Sequence, residues 1–424
     1  METNREKINI AIVGGGVESY WAALACAGQL PQNGGSVTLF DDPLFASSVV
    51  TAGDWLEECH ELLGISHEFF LRTLQPRVGL GLEIATSENN LFIPSTQTGY
   101  TYKNCTFSRL YAALGKSQLG YYLDYNYAYL LHKAGVESPP RNARAAMCDG
   151  LRVMYQFDGQ RYKEFLAEIL VARSVNIVSA DASKVQRDKN GAIILSVYPE
   201  LPAETGLLID FWWVKNVKTT CEKIVKNPSR DFFALNRLEI KDSCTQQINY
   251  AGPWMLERRV IYSDDAEPNR TEALSFWADG QIKMGADGLK FRFLDSAERV
   301  FFWQLQSLLM YWPEQRFFSL VANKMNREWC AWQSEVNDFE NLILTAAGCG
   351  PALSSENTAR MDLFREVGAL PEHEGAIFEN AEWENILVAG LGLEPGYRCL
   401  PLDITEAEGL AYARRVKESC LESF

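Results

Sequence analysis

A strand–turn–helix–strand pattern at the start of the chain restricts the fold more than any other feature of the sequence. Residues 8–13 are mostly Ile, Ala and Val, which is typical of a parallel strand buried on both faces. Three glycines follow, and the small apolar residues of 20–27 then indicate a helix packed tightly on a sheet. A second strand, 36–40, comes after the turn at 31–35 and ends at Asp41. This order predicts a parallel β-α-β unit.

The glycines of this unit have the spacing of a dinucleotide-binding fingerprint, Gly14-x-Gly16-x-x-Ser19. The first glycine of that fingerprint makes a tight turn, the second lets the backbone approach a pyrophosphate, and a third small residue lets helix and strand come close. Serine is a departure at the third position. Asp41 has the place of the acid that binds ribose hydroxyls. These residues predict a dinucleotide site, and the alternative is a unit of the same shape that binds nothing.

The position of the unit favours FAD as the dinucleotide. The unit begins near residue 10 and is followed by long interleaved segments, which is usual for FAD monooxygenases and reductases. NAD dehydrogenases more often continue with further β-α repeats. We therefore expect FAD at the glycine turn.

The charge balance argues against polyanionic partners. The chain of 424 residues has 40 Lys and Arg against 55 Asp and Glu, a formal charge of −15. Binding to nucleic acid or to an anionic membrane surface needs clustered cations instead.

Ten cysteines without a Cys-x-x-Cys pair and four histidines without zinc spacing predict reduced thiols and no metal site. With neither a signal peptide nor an apolar span, we expect a cytoplasmic protein.

Beyond the first unit, the apolar spacing predicts further helices and strands. The helices are expected at 54–63, 160–173, 296–312 and 354–366, and the strands at 175–178, 192–198 and 207–211, with a hairpin at 189–191 before the second strand. Residues 78–130 are expected to contain strands and loops, and 225–300 alternate aromatic and charged residues without a clean period.

Several patches, in a common order over most of the chain, resemble the flavin-dependent tryptophan halogenases. They are the opening motif 12–16 with Ala22-Ala23, Tyr155-Gln156-Phe157-Asp158 with 175–178, Leu208-Ile209-Asp210, Ala346-Ala347-Gly348 with Pro351, and Trp383 with Gly390-Leu391-Gly392 and Pro395. The resemblance implies an α/β fold of the para-hydroxybenzoate-hydroxylase-like class. In this fold an FAD-binding Rossmann-type lobe is interleaved with a mixed sheet, and a helical region receives the substrate.

The same resemblance implies a division of the chain, 1–424, into interleaved parts. The FAD-binding lobe is expected at about 7–80, 150–215 and 340–366, the substrate or covering lobe at about 81–149 and 216–339, and a C-terminal segment at 367–424. It also implies reduced FAD supplied by a separate flavin reductase, O2, and an aromatic substrate that is either free or bound to a carrier or peptide. It leaves a homodimer open.

The resemblance further implies roles for particular residues. Arg77 stands where the family has the lysine that receives the halogen, and an arginine does not readily lose its proton, so a haloamine there is chemically implausible. Glu356 is displaced slightly from the family's glutamate, which assists proton removal from the aromatic ring. Ser354 and Ser355 correspond to the halide site. Flavin contacts are expected from Ala347, Gly348 and Pro351 in addition to the glycine turn.

These departures leave three functions open. We expect an FAD-dependent oxidative enzyme, a halogenase-like monooxygenase, which acts with reduced FAD and O2 on an aromatic substrate, for example one of the indole or tryptophan type. The first alternative is a true halogenase with shifted catalytic residues. The second is a degenerate flavoprotein homologue that binds a partner, or that modifies a peptide.

Overall fold

A computed structural model describes most of the chain. The described residues are 8–30, 34–42, 49–85, 90–135, 154–181, 205–210, 219–226, 233–241, 244–251, 254–261, 277–278, 281–284, 295–312, 319–348, 352–371, 375–394, 396 and 400–422. The predicted hairpin at 189–191, its strand 192–198 and Pro351 lie outside them.

Fourteen strands belong to the described part of the chain. They are β1 (Ile8–Gly14), β2 (Gly35–Asp41), β3 (Val49–Ala52), β4 (Arg77–Ala85), β5 (Asn90–Pro94), β6 (Met154–Asp158), β7 (Asn176–Ser179), β8 (Thr205–Asp210), β9 (Thr219–Lys226), β10 (Phe233–Lys241), β11 (Cys244–Ala251), β12 (Trp254–Ile261), β13 (Trp277–Ala278) and β14 (Gln281–Lys283).

The same ranges contain twelve α-helices. They are α1 (Val17–Gln29), α2 (Trp55–Leu63), α3 (His67–Leu74), α4 (Phe107–Leu114), α5 (Lys116–Leu119), α6 (Tyr127–Ala134), α7 (Gly159–Ala172), α8 (Ser296–Met310), α9 (Ser319–Ala346), α10 (Ser355–Val367), α11 (Asn380–Glu384) and α12 (Glu406–Glu422). A 3-10 helix spans Tyr122–Tyr125, and a π-helix, Asn385–Gly390, directly follows α11.

The first sheet is mainly parallel and has six strands in the order β13-β14-β8-β1-β2-β7. Strand β1 is central and pairs in parallel with both β2 and β8. Its register places Gly14 opposite Asp41, so the carboxyl ends of β1 and β2 meet at one edge. This is the predicted β-α-β unit, which the structure confirms.

The second sheet is mixed and has eight strands. Seven follow the order β3-β6-β4-β10-β11-β12-β9, and β5 pairs with β4. The pair β4 and β10 is parallel, whereas β9 to β12 are joined to one another by antiparallel pairing. Strands β10 to β12 lie in the stretch for which the sequence shows no clean period. The predicted lobe boundaries stay a prediction.

The predicted helices agree with α2, α7, α8 and α10 to within about two residues at each end, which is the usual uncertainty of helix ends. Asp54 accepts a hydrogen bond from the amide of Trp55 at the start of α2, and Gly64 ends the helix at φ 63°, a left-handed conformation that favours glycine. The expectation of strands and loops at 78–130 holds for β4 and β5 but is wrong for most of 107–130, where α4, α5 and the start of α6 lie.

A buried indole joins α1 to the helices around it. Trp21 is fully buried, stacks on Phe301 of α8 with ring centroids 5.8 Å apart, and meets Trp55 of α2 edge-on at 6.1 Å. Its Nε1 donates a hydrogen bond of 3.0 Å to the hydroxyl of Tyr162 on α7. Because this one side chain contacts three helices, it fixes how α1 sits in the fold.

The Tyr162 hydroxyl continues this contact into a chain of hydrogen bonds. It lies 2.6 Å from Nε2 of His60, and Nδ1 of His60 lies 2.8 Å from Nδ1 of His67. An indole N–H can only donate, so the assignment that satisfies every member has Tyr162 donating to His60 and His60 donating to His67. His60 is therefore neutral, and burial, followed by the proximity of His67, lowers the pKa of His60 from 6.5 to about 3.

No described helix is both long and apolar enough to span a bilayer. Within the same residues, no three His, Cys, Asp or Glu side chains converge as metal ligands would.

The pKa of His60 predicts how stability depends on pH. Because the folded pKa lies below the unfolded value of 6.5, the unfolded chain binds the proton more tightly, and the free energy of unfolding falls as the pH drops from 6.5 towards 3. The loss attributable to His60 amounts to roughly 4 kcal/mol. His60→Gln should flatten this slope in urea unfolding at pH 4, 5, 6 and 7.

Tyr162→Phe is the matched control, because it removes the hydrogen bond but keeps His60 buried. It should lower the free energy of unfolding at every pH and retain most of the slope. A slope in His60→Gln equal to that of the unmodified protein would contradict the assignment.

Candidate functional site

The glycine turn joins the end of β1 to the start of α1. Gly16 is the N-cap residue of α1, with φ −82° and ψ 170°, and no side chain caps the helix there. The carbonyl of Gly14 accepts a 2.7 Å hydrogen bond from the amide of Asp42, which ties the turn to the end of β2. A helix N-terminus without a side-chain cap presents amides and a positive dipole end to an anion. The turn can thus receive a pyrophosphate.

Ser19 occupies the third position of the fingerprint. Its side chain is buried, and its hydroxyl donates a 2.7 Å hydrogen bond to the carbonyl of Gly16. The hydroxyl therefore braces the turn from within. A direct contact between Ser19 and a cofactor stays a prediction.

Asp41 lies at the carboxyl end of β2, opposite Gly14. Lys163 of α7 approaches its carboxylate, with Nζ 3.0 Å from Oδ1 and 3.4 Å from Oδ2. Tyr20 of α1 lies beside the same carboxylate, and burial together with the charge of Asp41 raises the pKa of Tyr20. Asp41 thus has neighbours on two helices.

These residues fit the sugar and phosphate part of a dinucleotide. A carboxylate has about four lone-pair positions, so Asp41 can accept hydrogen bonds from ribose hydroxyls in addition to the one from Lys163. Both Asp41 and the turn lie at the carboxyl edge of a parallel sheet, where ligands bind in folds of this kind. Glu18, in the first turn of α1, adds negative charge at the same end of the helix.

Arg77, the position matched to the family's lysine, is the first residue of β4. Its side chain is 6% exposed, and its neighbour across the sheet is Gln156 on β6. The guanidinium stays protonated there. Arg77 is consequently a buried, permanent cation within the second sheet.

Ser354, Ser355 and Glu356 lie together at the start of α10. The Ser354 hydroxyl caps the helix by accepting a hydrogen bond from the Asn357 amide, and the Ser355 hydroxyl lies 2.9 Å from Oε2 of Glu356. Glu356 is exposed, and its pKa is lowered by backbone hydrogen bonding first and by Ser355 second. A carboxylate of this kind is a weak base, and the halide role of the two serines stays a prediction.

The predicted flavin-contacting segment begins where α9 ends. Ala347 is buried, and Gly348 has φ 79°, in the left-handed region. The structure places this segment next to the π-helix, because a methyl group added at Gly390 would come within 2.9 Å of the Ala346 Cβ.

A buried carboxyl stands at the junction of α11 and the π-helix, and the sequence does not predict it. Glu384 is 5% exposed and accepts a 2.5 Å hydrogen bond from the Ser108 hydroxyl. Burial raises the pKa of Glu384 from 4.5 to about 7, against the opposing effects of Ser108 and Arg109. Glu384 is therefore able both to give and to take a proton near neutral pH.

The neighbours of Glu384 form a continuous polar network. Thr98 donates a 2.7 Å hydrogen bond to Oδ1 of Asn385, and Asn126 donates one of 3.1 Å to the Thr98 hydroxyl. The amides of Asn126 and Asn385 also both donate to the carbonyl of Thr96. The network fixes the segment after β5 against the π-helix, a form of helix that is frequent at functional sites.

A cavity of about 480 Å³ adjoins this network. Its lining includes Tyr111, Tyr121, Tyr122, Lys116, Val388 and Leu393. Tyr122 belongs to both features, because it lines the cavity and its hydroxyl lies near Thr98. Aromatic and apolar walls with a few charged groups are typical of small-molecule sites.

Comparison with known proteins places this geometry in context. Residues 9–210 match the family model described as tryptophan halogenase. No curated protein sequence matches the chain.

Solved structures match the chain over nearly its whole length. A flavin-dependent halogenase from Xanthomonas campestris is 16% identical, with a TM-score of 0.76, 99% of this chain covered and 96% of that one. BrvH, a flavin-dependent halogenase from a Brevundimonas species, is 15% identical with the same TM-score of 0.76 and the same coverage of 99% and 96%. A tryptophan 6-halogenase (SttH) from Streptomyces toxytricini is 13% identical, with a TM-score of 0.72 and coverage of 98% and 97%. These likenesses confirm the predicted fold class.

The raised pKa of Glu384 generates a testable prediction. The folded pKa lies above the unfolded value of 4.5, so the charged carboxyl lowers stability progressively as the pH rises from 4.5 to 7. Glu384→Gln removes the charge with little change of shape. It should have little effect at pH 4.5 and stabilise the protein by about 2–3 kcal/mol at pH 8, as measured by urea unfolding.

Glu356→Gln is the control, because it makes the same substitution at an exposed position at the start of a helix. No comparable gain in the free energy of unfolding is expected for it. A gain in Glu384→Gln that is equal at pH 4.5 and pH 8 would show that Glu384 is not a buried titrating carboxyl.

Proposed function

We propose that the chain is a divergent member of the tryptophan halogenase family and an FAD-dependent oxidative enzyme, which acts on an aromatic, indole-type substrate with reduced FAD and O2. Flavin-dependent halogenases use FAD that a separate flavin reductase reduces. The single observation that carries the proposal is the glycine turn with Asp41 at the edge of the parallel sheet, in a chain that matches a solved flavin-dependent halogenase over 99% of its length.

This chain's residues would hold the cofactor at that edge. The amides at the start of α1 would bind the pyrophosphate, and Asp41 would accept the ribose hydroxyls. Reduced FAD, when bound, supplies the electrons that activate O2 for attack on the substrate. The protein has to orient the aromatic ring of the substrate and to accept or supply the protons that the substrate loses or gains.

Two residues support transfer of oxygen rather than halogen. Arg77 keeps its proton and so cannot act as the family's lysine does. Glu356 is exposed and has a lowered pKa, which makes it a poor acceptor for a ring proton.

The cavity next to Tyr122 supports an aromatic substrate, because three of its lining residues are tyrosines.

The expected outcome is an oxygenated product that forms without halide. The purified protein should carry or take up FAD, seen as flavin absorbance, and should turn over members of an indole panel when a flavin reductase and NADH regenerate reduced FAD. Products with and without bromide are compared by mass spectrometry. Absence of flavin binding, or absence of any product across the panel, would contradict the proposal.

A second function, halogenation, is favoured by Glu384. A buried carboxyl with a pKa of about 7 has the acid–base property that Glu356 lacks, and the π-helix that follows it packs against the end of α9. It could take over removal of the ring proton in a halogenase whose residues have shifted.

This alternative predicts a brominated product that requires bromide. Glu384→Gln should then lower its rate at least about 100-fold, the usual effect of losing a general base, whereas Glu356→Gln should leave it nearly unchanged. A brominated product that both variants form at the rate of the unmodified protein would refute a role for Glu384.

A further inference from the structure

Lys163 is a lysine in an unusual place. It lies on the second turn of α7 with its side chain 5% exposed, and its ammonium reaches Asp41, 122 residues earlier in the chain. A fully charged lysine is almost never buried unless it is paired. In the described parts of the chain, its partners are the Asp41 carboxylate and the ring of Tyr20, whose centroid is 5.1 Å from Nζ.

The two side chains of the ion pair are buried to different extents, and the difference shows which side of the Asp41 carboxylate faces solvent. The Asp41 side chain is 21% exposed, whereas that of Lys163 is 5% exposed. The ammonium therefore holds the carboxylate from the protein side, and the outer side of the carboxylate remains open. Nζ is also closer to Oδ1, at 3.0 Å, than to Oδ2, at 3.4 Å, so the ammonium engages Oδ1 more closely than Oδ2.

Negative charge collects around the glycine turn. Asp41 and Asp42 end and follow β2, and Glu18 lies in the first turn of α1. A pyrophosphate adds two more negative charges close to these groups. The Asp41 carboxylate, without its pairing to Lys163, would repel the pyrophosphate, and such repulsion is strong where protein excludes water.

We propose that Lys163 is a positioning residue of the nucleotide site, which holds the Asp41 carboxylate in the orientation that accepts the adenosine ribose hydroxyls and offsets the negative charge beside the pyrophosphate. The inference rests on the proposed binding of FAD. Lys163 acts through Asp41 and touches neither the flavin ring nor the substrate.

The substitution Lys163→Met tests this role by direct binding. It removes the ammonium and keeps an unbranched apolar stem. FAD binding, followed by flavin fluorescence, and ADP binding, followed by calorimetry, should both weaken by roughly 10- to 100-fold, the range for losing hydrogen bonds to a charged group. FMN, which lacks the adenosine part, should bind the variant as it binds the unmodified protein.

Further variants separate positioning from a general effect on folding. Lys163→Arg keeps the charge and should retain most of the affinity for FAD. Asp41→Asn should weaken FAD binding by itself, and adding Lys163→Met to it should weaken binding little more, because the two residues act as one unit. Lys103→Met, which breaks the exposed ion pair between Lys103 and Glu408, is the matched control and should bind FAD normally.

The possible failures are distinguishable. Unchanged FAD affinity in Lys163→Met, or equal losses for FAD and FMN, would overturn the positioning role and leave the proposed function intact. If the unmodified protein binds neither FAD nor ADP, both the role and the proposed function fail. Should Lys163→Met not fold, the comparison of Lys163→Arg with Lys163→Gln decides by the same criteria.

Discussion

The contact between α1 and α7 organises both the core and the candidate cofactor site. Its buried half is the hydrogen bond from Trp21 to Tyr162, and its outer half is the pairing of Lys163 with Asp41 beside Tyr20. The residues involved are neighbours on each helix, so the packing that seats the indole also delivers the ammonium to the end of β2. A shift of either helix along the other would break both contacts, which couples the geometry of the candidate cofactor site to the integrity of the core.

The parts of the structure that are determined by residues close together in the sequence could be predicted from it. Strand β1, the glycine turn, α1 and Asp41 form a continuous run, in which apolar period and turn chemistry agree. Lys163 could not be predicted, because a lysine on an amphipathic helix is ordinarily at the surface, and only the fold brings Asp41 to it. The signal that existed was its place directly after Tyr162, a large residue on the buried face of α7.

Glu384 and the second sheet could not be predicted from the sequence for a different reason. Strands β10 to β12 are rich in polar residues, so they lack the alternation that marks a half-buried strand. The pairing of β10 with β4 also joins residues more than 140 positions apart in the sequence. Glu384 follows Trp383, which is part of the family resemblance, yet its burial depends on α4 and on the segment after β5. Neither local period nor composition reports a carboxyl buried by distant segments.

Whether a candidate residue can exchange a proton depends more on its environment than on its position relative to the family's motifs. Glu356 lies near the expected position, but water, the helix amides and Ser355 all stabilise its charged form, so it holds a proton weakly. Glu384 lies elsewhere, and its environment favours the neutral form, so it holds a proton to about pH 7. Arg77 is buried like Glu384 but cannot exchange its proton at all. Of these three groups, only Glu384 can change protonation during a reaction near neutral pH, and any proton transfer that involves one of the three must therefore pass through it.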